Sequence, residues 1–400
     1  MLMVFFVLFF FFTLTFLLFK KDILNPAFIF VGVWGTGVFL ATLFLSETTD
    51  TLFLCTFFII ISILLILPYF IARFNINYIR KFRSYKIFTS NCDLTLLHSF
   101  AYAGIGILLL FIYLNIIPLM RSYDSLRHYF YLVRRSALDG QPFLSQPWIV
   151  AQSIPFLMIC STFLLIEFLK NTQKKSNMIL WLLSFVIFSI ASIATNGTRS
   201  VFVFNLLSIV FIILSMSKIN LKRIFYSAIV FIFIFSTSTY YLRLPEAILE
   251  KKRLLLPLLS HLFIYSFGGI VSFGVVANDL EPIFNALGGI GSLPFIDIGK
   301  GLSTNVFSAF VVFAHYLHTN IIRFLIVMLL PFVLQILHYF KYNSAFTAIL
   351  WSYFCSALTL TVFHDYFFAI WPYWGRALIL YFILYRLKPI RKIRRLFSRH

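Results

Sequence analysis

The chain has 400 residues, of which 61% are apolar and only 12% charged, about half the charged share of ordinary soluble domains. No stretch is polar enough to form a separate soluble domain, so residues 1–400 read as a single all-α, polytopic membrane domain. The formal charge of +20 would point to nucleic acid in a soluble protein, but here its distribution along the chain matters more than its sum.

Eleven apolar segments are predicted to span the bilayer: 2–19, 27–45, 52–71, 96–119, 148–169, 178–195, 200–217, 223–240, 321–340, 345–363 and 367–386. Each is about long enough to cross a hydrocarbon core of roughly 30 Å. Only helices or closed barrels satisfy the backbone there, and runs of this length mean helices. The expectation is about 11 transmembrane helices (11–12). The first segment lacks the basic n-region and A-x-A cleavage site of a signal peptide and is expected to be retained.

Most connections are short, and two are not. The loop at 120–147 contains RSYDSLRHYFYLVRR, which reads as an amphipathic helix lying on the membrane surface. The loop at 241–320 is too apolar, and too poor in Ser and Lys, for disorder. Its stretch 256–277 is apolar enough to cross, but 304–317 would then have to cross as well. That would place Asp279, Glu281 and Asp297, with only Lys300, on the basic side. A pair of re-entrant or interfacial helices covering a cavity is expected instead.

Basic residues cluster on alternate connections. Lys20–Lys21, the run from Arg73 to Lys86, Lys170 to Lys175, Lys218 to Arg223, Lys341 and the tail from Arg386 share one side. That side holds 21 of the 33 basic residues and only Asp22, Asp93 and Glu167 among the acids. The positive-inside rule makes it cytoplasmic, with the N-terminus outside and the C-terminus inside. The basic tail is expected to meet anionic lipid rather than nucleic acid. Four cysteines without paired spacing imply neither a disulfide framework nor a metal site.

The scarce polar residues on the outer side are the candidates for chemistry. Arg199 ends the tight turn ATNGTR between two spans, against the charge bias of that side. Arg243 follows the eighth span beside Tyr240 and Tyr241. Arg376 sits inside the last span, where a guanidinium is costly and implies a partner, such as Asp365 or a carbonyl, or a ligand. Three guanidiniums facing one side form an anion clamp suited to phosphate or pyrophosphate. His261, His315, His318 and His364 lie on or near the outer face. Of these, His364 followed by Asp365 is the best candidate for moving a proton. No GxxxxGK[ST] or DxD pattern is present, so neither ATP nor a metal-bound sugar nucleotide is implied, and no cofactor is expected.

These features resemble the bacterial O-antigen polymerases, the Wzy-type oligosaccharide repeat-unit polymerases. TNGTRS at 195–200 is similar to that family's Gly/Ser-Arg turn, and IYSFGGIVSF at 264–273 to its Tyr–Gly-Gly–Phe segment. STNVFSAF at 303–310 is similar to an Asn-Val-aromatic-Thr-x-Phe segment, with Ser308 where Thr is usual, and HDYFF at 364–368 to an acidic-aromatic patch. Where the family often continues with an acidic Asp-Phe-Gly patch, HYLHTNII stands here. The resemblance implies a metal-independent glycosyltransferase at the periplasmic face of the bacterial inner membrane. Its substrate would be an oligosaccharide on undecaprenyl pyrophosphate, and its protein partner a polysaccharide chain-length regulator. It implies substrate-binding roles for Arg199, Arg243, Arg376 and Asn305 and catalytic roles for His364 and Asp365; Glu246 and Asp279 are further candidate bases. The competing readings are an O-antigen ligase, acting on lipid A core, and a flippase that moves the lipid-linked repeat without chemistry. A flippase is expected to show inverted repeats or broken helices, and the two halves of this chain look unlike.

Overall fold

A computed structural model describes residues 2–19, 22, 24–45, 50–74, 92–123, 125–138, 143–170, 175–196, 200–216, 229, 237, 268–275, 296–299, 302–304, 311, 321–341, 343–361 and 371–386. Within them the protein is a helical membrane bundle. In chain order the helices are α1 (Leu2–Phe19), α2 (Pro26–Leu45), α3 (Thr51–Phe74), α4 (Leu94–Phe111), α5 (Leu126–Leu138), α6 (Trp148–Lys170), α7 (Lys175–Asn196), α8 (Ser200–Met216), α9 (Ile321–Phe340), α10 (Ala345–Leu360) and α11 (Trp371–Tyr381). Five helices among the described residues are long and apolar enough to cross a membrane unaided: α2, α3, α4 with its extension to Arg121, α6 and α7. Four shorter apolar helices lie within α1, α8, α9 and α10. The eighth predicted span, 223–240, lies almost wholly outside the described residues.

Helix starts follow local chemistry. Asn25 accepts the Ala27 N–H at 3.0 Å, and Pro26, which has no N–H to lose, opens α2. Asp93 accepts from Leu96 N at 3.2 Å to begin α4. Ser344 and Thr347 form a reciprocal capping box on α10. Beyond Phe111, α4 widens into a π-helical turn over Ile112–Ile116 and resumes as Ile117–Arg121. Pro118 stands just after this turn and has no N–H to return to Leu114, which accounts for the departure from α geometry.

The bundle has an apolar core like a soluble protein but exposes apolar side chains as well. The apolar side chains Phe5, Phe6, Phe9 and Phe10 of α1, Leu182 and Leu183 of α7, and Leu329 and Ile336 of α9 are exposed. These faces are suited to lipid, where exposed apolar surface costs nothing. In contrast, α6 and α10 are buried along most of their length and form the centre. Aromatic packing ties the first three helices together: Phe11 meets Phe58 edge-on at 5.8 Å, and Phe30 stacks on both Trp34 and Phe58. Several buried hydroxyls return to their own helices, as Thr15 to Phe11 O and Thr42 to Val38 O, which satisfies them where no water competes.

The amphipathic stretch of the first loop forms α5. Its buried Tyr129 donates to Ala194 O at 2.9 Å and fastens α5 over the end of α7. In the second loop, residues 268–275 are helical, and all but Val275 are buried. Phe273 packs 5.0 Å from both Phe53 and Phe57, and Gly274 O accepts the Asp50 N–H at 3.2 Å. This segment of the predicted 256–277 helix is therefore seated against the start of α3. The same loop contributes an antiparallel hairpin of β1 (Ile296–Gly299) and β2 (Leu302–Thr304), paired Ile296 to Thr304 and Asp297 to Ser303. No strand was expected there. The cue is the I-D-I alternation followed by the glycines of G-K-G at 299–301.

Candidate functional site

Of the six residues singled out for binding or catalysis, Arg376 falls among the described residues, while Arg199, Arg243, Asn305, His364 and Asp365 lie outside them. The same holds for His261, His315, His318, Glu246 and Asp279.

Arg376 is one and a half turns into α11, which packs against α6 and α10. The helix is anchored by Trp374, whose ring stacks on Phe354 of α10 with centroids 4.4 Å apart. That anchor carries Arg376 towards α6, where its Nη2 donates a hydrogen bond to Oε1 of Gln152. Gln152 is likewise about one turn in from the first residue of its helix, Trp148. The Arg376 guanidinium carbon also lies 5.8 Å from the centroid of the Tyr373 ring, within cation–π range. The side chain is partly buried. Among the described residues no carboxylate comes within ion-pair distance of it.

A guanidinium that keeps its full charge, held by one neutral acceptor and one ring, presents a planar set of donors to an anion. Pro155 adds polarity to this end of α6, because it supplies no N–H to the Ala151 carbonyl one turn below. Nearer the middle of the two helices, the buried Tyr353 hydroxyl lies 3.3 Å from the Thr162 hydroxyl.

The opposite end of the bundle carries two buried polar groups that sequence reasoning did not single out. In the first, Nε2 of His338 lies 2.6 Å from Oδ2 of Asp22, while Nζ of Lys341 is 3.2 Å from Nδ1 of His338 and 3.9 Å from Oδ1 of Asp22. A Lys341 ammonium donating to Nδ1 leaves the proton of a neutral imidazole on Nε2, facing Asp22. Lys341 is only 4% exposed, and its ammonium stands 4.8 Å over the Trp351 ring. One turn along, Gln335 and Asn25 exchange side-chain amide hydrogen bonds of 2.8 and 3.2 Å, and Gln335 also donates to Leu65 O. The available cue was the spacing Gln335, His338, Lys341, which recurs on one helical face.

In the second group Glu167, 4% exposed, accepts from Tyr385 Oη at 2.6 Å and Lys170 Nζ at 2.9 Å. Leu384 O accepts the Asp93 N–H at 3.0 Å, so the π-helical turn Phe382–Arg386 that follows α11 is tied to the start of α4 and the end of α6. Burial, with the Glu167 charge nearby as a smaller contribution, pushes the Cys92 thiol up to about 12, so it is not poised as a nucleophile. All four cysteines are buried and unbridged.

For Gln152 the missed signal was scarcity. The amides of Gln152, Asn205 and Gln335 are rare within the predicted spans, and each needs a reason to lie in an apolar helix. Comparison of the chain with family models, with curated proteins and with solved structures finds no match.

Proposed function

We propose that the chain is an O-antigen or surface-polysaccharide polymerase. It would join oligosaccharide repeat units carried on undecaprenyl pyrophosphate at the periplasmic face of the bacterial inner membrane. The observation that supports this most directly is Arg376, a charged guanidinium inside an apolar helix that is held by an amide and a ring rather than by an acid. Such a group fits a ligand that brings its own negative charge into the membrane boundary, as a lipid-borne pyrophosphate does.

In the reaction the pyrophosphate leaves the anomeric carbon of the donor glycan as a hydroxyl of the acceptor repeat attacks it. The hydroxyl proton passes to a base, and the charge growing on the leaving oxygens is met by guanidinium groups. Arg376 would act together with Arg199 and Arg243 on the pyrophosphate, Asn305 would bind substrate, and His364 or Asp365 would take the proton. The 11-span topology, with the N-terminus and both long loops periplasmic and the basic tail cytoplasmic, belongs to this proposal, as does a chain-length regulator as protein partner.

The experiment is the lipopolysaccharide profile of a strain lacking the gene, with the wild-type chain or Arg376→Ala restored. The expected result is single-repeat glycan on core in the deletion strain and with Arg376→Ala, and a full ladder with wild type. Core without any repeat would replace polymerisation by ligation or flipping. Accumulation of lipid-linked repeats on the periplasmic face would then mark ligation, and on the cytoplasmic face flipping.

A further inference from the structure

Three buried or half-buried cations among the described residues are treated in two ways. Lys170 has Glu167 at 2.9 Å, and Lys341 has Asp22 at 3.9 Å. Arg376, at the other end of the bundle, has Gln152. Glutamine and glutamate have nearly the same shape, so a carboxylate at position 152 would make the same hydrogen bond, with charge assistance. It would also cancel the charge of Arg376. The amide orients the guanidinium without cancelling its charge, and no carboxylate among the described residues does so.

We infer that Gln152 is a positioning residue whose neutrality reserves Arg376 for an external anion, the pyrophosphate of a lipid-linked substrate. This rests on the functional reading above for the identity of the anion, and adds to it a role for Gln152. Among the described residues the guanidinium is held by one hydrogen bond and the Tyr373 ring. That restraint fixes the fork without satisfying it, which favours binding by reducing the ordering needed when the anion arrives.

The test compares wild type, Gln152→Glu, Gln152→Leu and Arg376→Ala as full-length chains in detergent or nanodiscs. Each is titrated with geranylgeranyl pyrophosphate and, separately, with inorganic pyrophosphate, and each is melted thermally. Wild type is expected to bind the lipid pyrophosphate more tightly than the free anion, because the prenyl chain is also buried. Gln152→Glu should melt at the same temperature or higher and bind at least tenfold more weakly. Gln152→Leu should lose thermal stability but keep binding to within a few-fold, because the charge of Arg376 survives. A merely structural amide predicts the reverse order, with Leu worst in both measurements. That order, or undiminished binding by Gln152→Glu, overturns the role of Gln152 and leaves the pyrophosphate reading standing. Failure of wild type to bind either probe overturns both. If Gln152→Glu does not accumulate, the Leu variant decides the matter by whether anion binding follows charge or follows the hydrogen bond. Equal binding of the two probes by wild type would assign the site to a free anion rather than to a lipid-borne one, and would overturn the lipid-linked identity.

Discussion

At the scale of single residues, the membrane makes each polar side chain an argument about partners. Tyr385 illustrates the cost of removing one. Tyr385→Phe deletes the hydroxyl that donates to the buried Glu167 at 2.6 Å. Loss of a hydrogen bond to a charged, buried acceptor is worth about 1.5–3 kcal/mol. The expected outcome is a lower melting temperature for the solubilised protein with insertion unchanged, read by a thermal shift assay. Asp22→Ala removes the carboxylate that faces both His338 and Lys341. Because Asp22 itself is partly solvated, the expected loss sits at the low end of about 1–3 kcal/mol. Asp22→Asn, which keeps a hydrogen-bond acceptor for His338, should cost less than Asp22→Ala in the same assay. Of the candidate site, the sequence made Arg376 legible because an arginine within an apolar run is rare. Its partner Gln152 lies 224 positions earlier, a separation over which no local pattern operates.

At the scale of elements, close approach and docking are decided by small differences along a helix. Gly104 and Gly106 are two positions apart in α4 and answer differently to a side chain. A Cβ on Gly104 would stand 3.2 Å from Leu157 Cδ1 of α6, whereas a Cβ on Gly106 meets nothing within 4 Å. Gly106→Ala is therefore expected to stabilise by up to about 1 kcal/mol through helix propensity. Gly104→Val should destabilise by about 1–3 kcal/mol through overpacking; unfolding of the purified protein reads both. Tyr129→Phe should free α5 from Ala194 O. Burial raises the Tyr129 phenol to about 12. A raised pKa in the folded state means that stability is present below the ordinary tyrosine range and is lost as pH rises towards the folded value. Tyr129→Phe should remove that alkaline sensitivity while costing about 1 kcal/mol at neutral pH. Faster proteolysis in the 120–147 loop is the second sign to measure. The predicted helices 2–19, 27–45, 148–169 and 321–340 agree with α1, α2, α6 and α9 to within a residue or two at each end, because long apolar runs leave the backbone no alternative. The β1–β2 hairpin and the π-turn before Pro118 were harder to read, since both depend on short local signals that apolar content obscures.

At the scale of the whole molecule, contacts sort the connections into two ends. One end joins Asp22, Asn25, Asp93, Glu167, His338 and Lys341 to their partners, and these belong to the connections and span ends read as the basic, cytoplasmic side. The other joins Asp50 to Gly274, Tyr129 to Ala194 and Gln152 to Arg376. Reporter fusions after residues 86, 140, 175, 260 and 395 are expected to show cytoplasmic activity at 86, 175 and 395 and periplasmic activity at 140 and 260. An inverted pattern would remove the periplasmic chemistry from consideration. What the sequence by itself determined was apolar helices suited to a membrane, the positions of most helices and the amphipathic helix of the first loop, because each follows from how many consecutive residues tolerate hydrocarbon and at what period. Only the tertiary structure decided which polar groups meet: Gln152 with Arg376, Gln335 with Asn25, and Asp22 with His338 and Lys341. Hydrophobicity places a helix in the bilayer without specifying its rotation or neighbours, and those are settled by packing α6 and α10 at the centre and bringing these polar side chains onto one another rather than towards lipid.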